Sequence, residues 1–304
     1  MKKKTKNKII ALILLLMVYL YGIYTQPNTN NKNKENTSTK ERQTEVINET
    51  SNNLKITYLD VGQADSILIE ENNEYMLIDA GNNEDGPYLV NYFKSLGIEK
   101  FEYVIGTHAH EDHIGGMDDI IKNFSIGTFY MPEVLTTTKT FEDVLDALEE
   151  KQVAFNSPEI DKSFTFADAT IETLYIDNNS KDLNDSSIVL RLKHGTNTFL
   201  FTGDASTKVE KKLLDKNIQS DVLKVGHHGS RYSTSKAFLD KVNPTYAIIS
   251  VGENNTYKHP HNEIIKRLEN KNIKIYRTDE SGSIVAESNG SIITFKTIKT
   301  NTNG

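Results

Sequence analysis

The sequence contains no cysteine. That excludes disulfide cross-links, thiolate metal ligands and a thioether lipid anchor, so any transition-metal site must be built from His, Asp and Glu. A positive charge balance is also missing. Its 304 residues include 35 Lys and Arg against 42 Asp and Glu, a net charge of −7. The imbalance is uneven: residues 1–53 hold nine basic and four acidic side chains, which leaves 26 basic and 38 acidic ones in 54–304, a net of −12. An acidic domain has no general attraction for a polyanion, so a nucleic-acid substrate would need bound metal or a local basic patch. No short-period repeat is present.

No apolar run reaches the ~20 residues of an ordinary membrane-spanning helix. The nearest approach is 9–24, an uncharged stretch that follows Lys2, Lys3, Lys4, Lys6 and Lys8. It is longer than the ~7–15 residues of a signal-peptide core, and no small-x-small cleavage site follows it. Tyr19, Tyr21 and Tyr24 suit a membrane interface. The expectation is an uncleaved signal-anchor at 1–25, favoured over a cleaved signal peptide, with the lysines inside the cell. The rest of the chain would then lie on the extracellular face of the membrane, or be secreted if cleavage occurs. Residues 26–53, rich in Asn, Lys, Thr and Glu, read as a disordered linker. Residues 54–304 read as one folded domain.

Within that domain, short strands are predicted at 55–60, 66–70 and 75–79, and a helix over 87–96 that Gly97 can end. A buried strand at 101–106 runs into a loop with three of the eight histidines. A helix at 114–121, a strand at 126–131 and a helix at 140–151 follow. The second half repeats the mixture, with strands at 170–176, 187–192, 198–201, 221–225 and 246–251. Helices are predicted at 206–214, 235–242 and 261–270. Three strands, at 273–276, 283–287 and 291–296, close the chain. Two runs of mixed elements suggest two sheets packed together with helices outside.

His108 and His110 stand two apart at the end of a strand, so their imidazoles project to one side and can converge on a metal ion. Asp112 and His113 follow where the chain turns, and Gly115 and Gly116 permit close backbone packing. Three His in six positions point to a metal site rather than a polar surface loop. Asp79 and Asp204 each end an apolar strand; alone, each reads as a turn carboxylate. His227 and His228 follow the strand at 221–225. Adjacent side chains diverge, so one is expected to bind metal and the other to face substrate. His259 and His261 carry less signal, and His261 reads as a helix cap. His194, before Gly195 in a hairpin turn, reads as a surface residue.

In order, the segments 58–69 (YLDVGQADSILI), 77–81 (LIDAG), 107–116 (THAHEDHIGG), 184–190 (NDSSIVL), 201–204 (FTGD), 224–230 (KVGHHGS) and 255–261 (NTYKHPH) resemble the metallo-β-lactamase fold. More narrowly, they resemble the extracellular hydrolase-like domain of the ComEC/Rec2 competence family and its stand-alone relatives. The resemblance spans about 54–295. It implies an α/β (α+β) fold, a four-layer αββα sandwich with metals at the sheet edges. It also implies that His108 and His110 bind a first metal, that Asp112, His113 and His228 serve a second, and that Asp204 bridges the two. Asp79 would orient the histidine loop, and His227 and His259 would face the substrate. The competence protein carries a multi-helix channel. This sequence has at most one membrane segment and is expected not to be that transporter.

Two positions depart from the family pattern. Ala64 stands where a glycine is usual. More important, 181–187 (KDLNDSS) lacks the histidine that most binuclear members place there for the first metal; Asp182, Asn184 or Asp185 stands as its replacement. The expected chemistry is metal-activated hydrolysis by one or two zinc or manganese ions. Asp112 would accept the water's proton, and His227 or His259 would bind substrate oxygens or protonate the leaving group. From the resemblance, the first-choice substrate is a phosphodiester, DNA outside the cell included. The alternatives are another ester, a lactone, a β-lactam or a choline-phosphate ester, or a catalytically silent, metal-bound surface binding domain.

Overall fold

The computed structural model describes residues 53–299. The expected anchor at 1–25, and the expected linker up to residue 52, lie outside the described residues. Among the described residues, no helix is long and apolar enough to cross a membrane.

The chain begins with β1 (Leu54–Tyr58), β2 (Ser66–Glu71), β3 (Glu74–Ala80), β4 (Lys100–Ile105), β5 (Ser125–Tyr130) and β6 (Phe155–Asn156). A second sheet takes β7 (Ser163–Phe166), β8 (Ala169–Tyr175), β9 (Val189–His194), β10 (Asn197–Phe201), β11 (Val222–Lys224), β12 (Tyr246–Ile249) and β13 (Lys274–Arg277). The chain then returns to the first sheet as β14 (Ser283–Ser288) and β15 (Ile293–Ile298). The sheets run β15-β14-β1-β2-β3-β4-β5-β6 and β13-β12-β11-β10-β9-β8-β7. In each, an antiparallel part passes into a parallel one, at β3–β4 and at β10–β11.

Strand alternation builds three apolar layers. Leu54, Ile56 and Tyr58 of β1 face the space between the sheets, as do Ile67 and Ile69 of β2, Met76 and Ile78 of β3, and Phe199 and Phe201 of β10. The residues in between turn outward. Leu68 and Leu77 pack under the helices of the first sheet, and Leu200 packs under those of the second. Burial on both faces explains the unbroken apolar runs at 67–69, 76–78 and 199–201.

The outer layer on the first sheet is α1 (Gly86–Ser95), α2 (Glu111–Ile114), α3 (Met117–Asn123) and α4 (Lys139–Lys151). Phe93 of α1 meets Phe101 and Phe124 edge-on at 5.3 and 6.2 Å, contacts worth about 0.5–1.5 kcal/mol each beyond area burial. The Thr138 hydroxyl accepts from Phe141 N and starts α4. The second sheet is covered by α5 (Thr207–Leu213), α6 (Lys236–Val242) and α7 (Asn262–Glu269), with a short α8 (Thr278–Ser281) before β14. Four layers, αββα, result as expected.

Three local expectations need correction. The helix predicted at 114–121 is two, because the chain breaks at Gly115–Gly116 to pass against β3. A Cβ on Gly115 would lie 2.1 Å from Asn82 C, and one on Gly116 2.6 Å from Ala80 O. The strands β6 and β7 were not legible, being two and four residues long. His194 is not a surface residue. It is 7% exposed, with Nδ1 2.8 Å from Ser288 Oγ and Nε2 3.0 Å from Glu71 Oε1. The ends of β2 and β14 cover the turn that sequence position alone made look exposed.

Candidate metal centre

The parallel strands β3 and β4 end side by side and set the histidine loop. Asp79, at φ 60° near the end of β3, accepts from Thr107 N at 2.7 Å, Thr107 Oγ1 at 2.8 Å and His113 Nδ1 at 2.8 Å. It is 1% exposed. A carboxylate on Nδ1 fixes the tautomer and leaves Nε2 of His113 free to coordinate. The backbone holds the other side of the loop: Gly115 N donates to Gly81 O, Gly116 N to Ala80 O, and Asp65 N to Asp112 O.

From the second sheet come Asp204, after β10, and the His227–His228 pair, after β11. Both histidines have φ 52°, and this left-handed turn splays the two rings. His228 Nδ1 donates to Ser250 O at 3.0 Å, which again frees Nε2. His228 Nε2 lies 3.3 Å from Asp112 Oδ2 and 3.9 Å from Asp204 Oδ1; His113 Nε2 lies 3.3 Å from Asp204 Oδ1. Ligand atoms of Asp112, His113, Asp204 and His228 all fall within 4.8 Å of one another. His113 Nε2, His228 Nε2 and Asp204 Oδ1 are buried without a hydrogen-bond partner. Orphaned donors and acceptors of this kind are costly, and a divalent cation among them would satisfy all three. The residues therefore fit a metal ion with mixed His and carboxylate ligands.

Charge within the cluster is strongly coupled. Burial pushes the Asp204 and Asp112 carboxyls up, but His113 and His228 outweigh it and hold both well below the carboxylate range. Burial likewise pushes His113 and His228 down. For His113 the opposing carboxylates are Asp204, Asp79 and Asp112; for His228 they are Asp204, Asp65 and Asp112, and in both cases the imidazole ends up raised. His108 is lowered, by burial and then by the neighbouring His113.

The expected first-metal residues are partly gathered. His108 Nε2 and His110 Nδ1 lie 3.0 Å apart, as the i, i+2 spacing requires, and the His108 ring is 4.1 Å from the His113 ring. Among the described residues, however, the only groups of three or more potential His, Asp or Glu ligands are the four above and Asp65–Asp79–His113. Of the three candidates for the absent histidine, Asp182 accepts from Asn184 N, and Asp185 is taken by the Ser206 hydroxyl and Lys208. Asn184 Oδ1 is buried and unpartnered. Its segment lies against the site, since Ile188 N donates to Thr107 O and Ser187 Oγ accepts from Asp204 N.

His227 Nε2 is 3.5 Å from Asp204 Oδ2, and its ring meets that of His259 edge-on at 5.6 Å. Burial lowers His227; burial and then His227 lower His259 to about 4. Both rings are thus neutral at neutral pH and suited to hydrogen-bonding an oxygen rather than to donating a full proton. Gln63 orients His259: its Oε1 accepts from Gly252 N, which turns Nε2 to His259 Nδ1 at 3.5 Å. His261 precedes α7 but makes no side-chain cap; its Nδ1 accepts from Arg231 N.

Two residues of the site were missed in the sequence. Asp65 and Lys224 form a salt bridge of 2.8 Å at 1% exposure each, and Asp65 Oδ1 is 3.6 Å from His228 Nδ1. A lysine closing the apolar strand Val222–Lys224, three positions before the histidine pair, was the available signal.

Two mixed sheets face to face, helices outside, and a His/Asp cluster at the strand ends define a metal-binding αββα sandwich protein. Residues 59–253 match the family model of the Metallo-beta-lactamase superfamily, and the chain belongs to that family. It is 30% identical to ComE operon protein 3 of Bacillus subtilis over 76% of this chain and 32% of that protein. It is 32% identical to competence protein ComA of Neisseria gonorrhoeae over 77% of this chain and 32% of that one. The chain thus spans about a third of the length of these relatives. In structure it resembles the metallo-beta-lactamase fold protein YhfI of Bacillus subtilis, with a TM-score of 0.55 at 13% identity, covering 78% of this chain and 100% of that one.

Proposed function

We propose that this protein is a metal-dependent phosphodiesterase that acts on nucleic acid outside the cell. The observation that carries the reading is the set of buried, unpartnered Nε2 and Oδ1 atoms on His113, His228 and Asp204, aimed at one point beside the half-exposed Asp112. Similarity to proteins named for competence supports a DNA-related substrate. Lys2–Lys8 ahead of an apolar stretch support an anchored, outward-facing domain.

Zinc or manganese bound by Asp112, His113, Asp204 and His228 would supply an activated water and offset charge developing on phosphorus. With the ion offsetting the pull of His113 and His228, Asp112, whose side chain is 29% exposed while the other three are nearly enclosed, would meet the water from the solvent side and accept its proton. His227 and His259, held neutral, donate hydrogen bonds to non-bridging substrate oxygens. A second ion would be held by His108 and His110, with the unpartnered Asn184 Oδ1 as the replacement ligand.

The purified chain with Mn²⁺ or Zn²⁺ should hydrolyse bis-p-nitrophenyl phosphate. Asp112→Asn should lower kcat by about 10²-fold or more, and metal analysis should find fewer ions per chain in Asn184→Ala than in the wild type. The absence of a histidine at 181–187 favours a second reading, a metal-bound but catalytically silent surface binding domain. Bound metal without hydrolysis of any phosphodiester would sink the first reading and leave the second.

A further inference from the structure

Tyr257 and Tyr232 are 65% and 68% exposed, the most open of the large apolar side chains among the described residues. Tyr257 is not loose on the surface. Its ring lies nearly parallel to that of His259, at 5.6 Å and 23°. His259 meets His227 edge-on, and His227 reaches Asp204. A ladder of rings therefore runs from the carboxylate cluster outward, and its last rung leaves one face open to solvent.

The loop does not need the Tyr257 ring to hold its shape. Asn255 Nδ2 donates to Gly252 O and His259 O at 2.9 and 2.6 Å, and its Oδ1 accepts from His259 N at 2.9 Å. Lys258 N donates to Asn255 O, and Gln63 fastens both Gly252 and His259. Side-chain amides fix the turn, and the aromatic ring stays outside it. Large apolar area held in water on a pinned loop at a site mouth marks a ligand contact.

Given the phosphodiesterase reading above, on which this rests, we propose that Tyr257 is a stacking platform for a nucleobase of a single-stranded nucleic acid whose phosphate lies at the Asp112–Asp204 cluster. Every base has a π-face, so such a platform takes single strands with little sequence preference. Lys258, exposed beside it, is placed to meet a neighbouring phosphate. The domain's negative charge makes the ring contact more important: an acidic protein gains little from counterion release, so stacking must carry more of the affinity.

The test compares wild type, Tyr257→Ala and Tyr257→Phe. Anisotropy of a fluorescein-labelled oligothymidylate with Mn²⁺ present should show Tyr257→Ala binding about tenfold more weakly, with Tyr257→Phe close to wild type. An abasic oligomer of the same length should not distinguish the three proteins. In turnover, the ratio of kcat/KM for thymidine 5′-(p-nitrophenyl phosphate) to that for methyl p-nitrophenyl phosphate should fall in Tyr257→Ala and hold in Tyr257→Phe. Equal oligothymidylate binding by wild type and Tyr257→Ala, or an equal loss with the abasic oligomer, would overturn the proposal. Failure to hydrolyse either ester would count against the phosphodiesterase reading alone, since the binding comparison still decides the platform.

Discussion

Lys224 carries an ammonium group into the interior, 2.8 Å from Asp65 and 3.3 Å from Val225 O. The pair lies behind the candidate metal ligands, with Asp65 turned toward the Nδ1 sides of His228 and His113. Asp65 and Asp79 both lie on the Nδ1 side of His113, opposite its unpartnered Nε2. Removing one member of a buried pair strands the other, at a cost of about 3–5 kcal/mol. Lys224→Met should therefore lower stability by that order in urea unfolding with EDTA. Asp65→Asn in the same chain should recover much of it, because no carboxylate is then left unpaired. A double variant no more stable than the single one would show that the lysine acts through packing instead.

At the scale of elements, β2, β9, β10 and β14 are tied by a chain of side chains far along the strands from the metal cluster. Glu71 approaches His194 Nε2, His194 Nδ1 donates to Ser288 Oγ, and Ser288 donates to Asn197 Oδ1. Burial, followed by Asp168 and Glu74, pushes the Glu71 carboxyl up to about 7 from an ordinary 4.5, and burial lowers His194. The pair is then a neutral acid beside a neutral imidazole. A raised carboxyl binds its proton more tightly in the folded chain, so its contribution is full below about 4.5 and fades as pH rises through about 7. A lowered imidazole acts in the opposite sense, its contribution being lost only as pH falls below 6.5 toward the folded value. The two slopes offset each other below 6.5, which leaves a fall in stability just above it. The urea midpoint should drop between pH 6 and 8, and Glu71→Gln, which keeps the shape of the side chain and cannot titrate, should flatten that drop. An unchanged slope in the variant would assign the pH dependence elsewhere.

For the molecule as a whole, the three apolar layers are built without the candidate metal ligands, which follow the strand ends. Metal binding should therefore add to a fold that already exists, unlike a zinc finger that folds only on binding. Ions at a hundredfold over Kd add about 2.7 kcal/mol, or about 5–10 °C in Tm for a domain of this size. Chelation should lower Tm by that order and leave the circular dichroism spectrum unchanged at 25 °C. Loss of secondary structure on chelation would show that the two sheets depend on the site to stay together.

Much was legible in the chain because periodicity encodes which face of an element is buried. The alternation in β1, the apolar runs in β2 and β3, the helical spacing of Leu89, Val90 and Phe93, and the dense His108–His113 loop are all local signals, and they gave away the layers and half of the candidate metal cluster. What sequence could not settle depends on which strand ends lie side by side. Asp65 and Lys224 are 159 positions apart, and only the order β1-β2-β3-β4 facing β10-β11 brings them together. His194 read as exposed because its neighbours in the chain are a turn; the cover over it comes from Glu71 and Ser288, in the other sheet. The residue types determined which ligands a metal could have here, imidazoles and carboxylates, since no cysteine is present. The tertiary structure alone decided that Asp112, His113, Asp204 and His228 form one compact candidate set, because two sheets must dock before side chains from both can lie within reach of one cation.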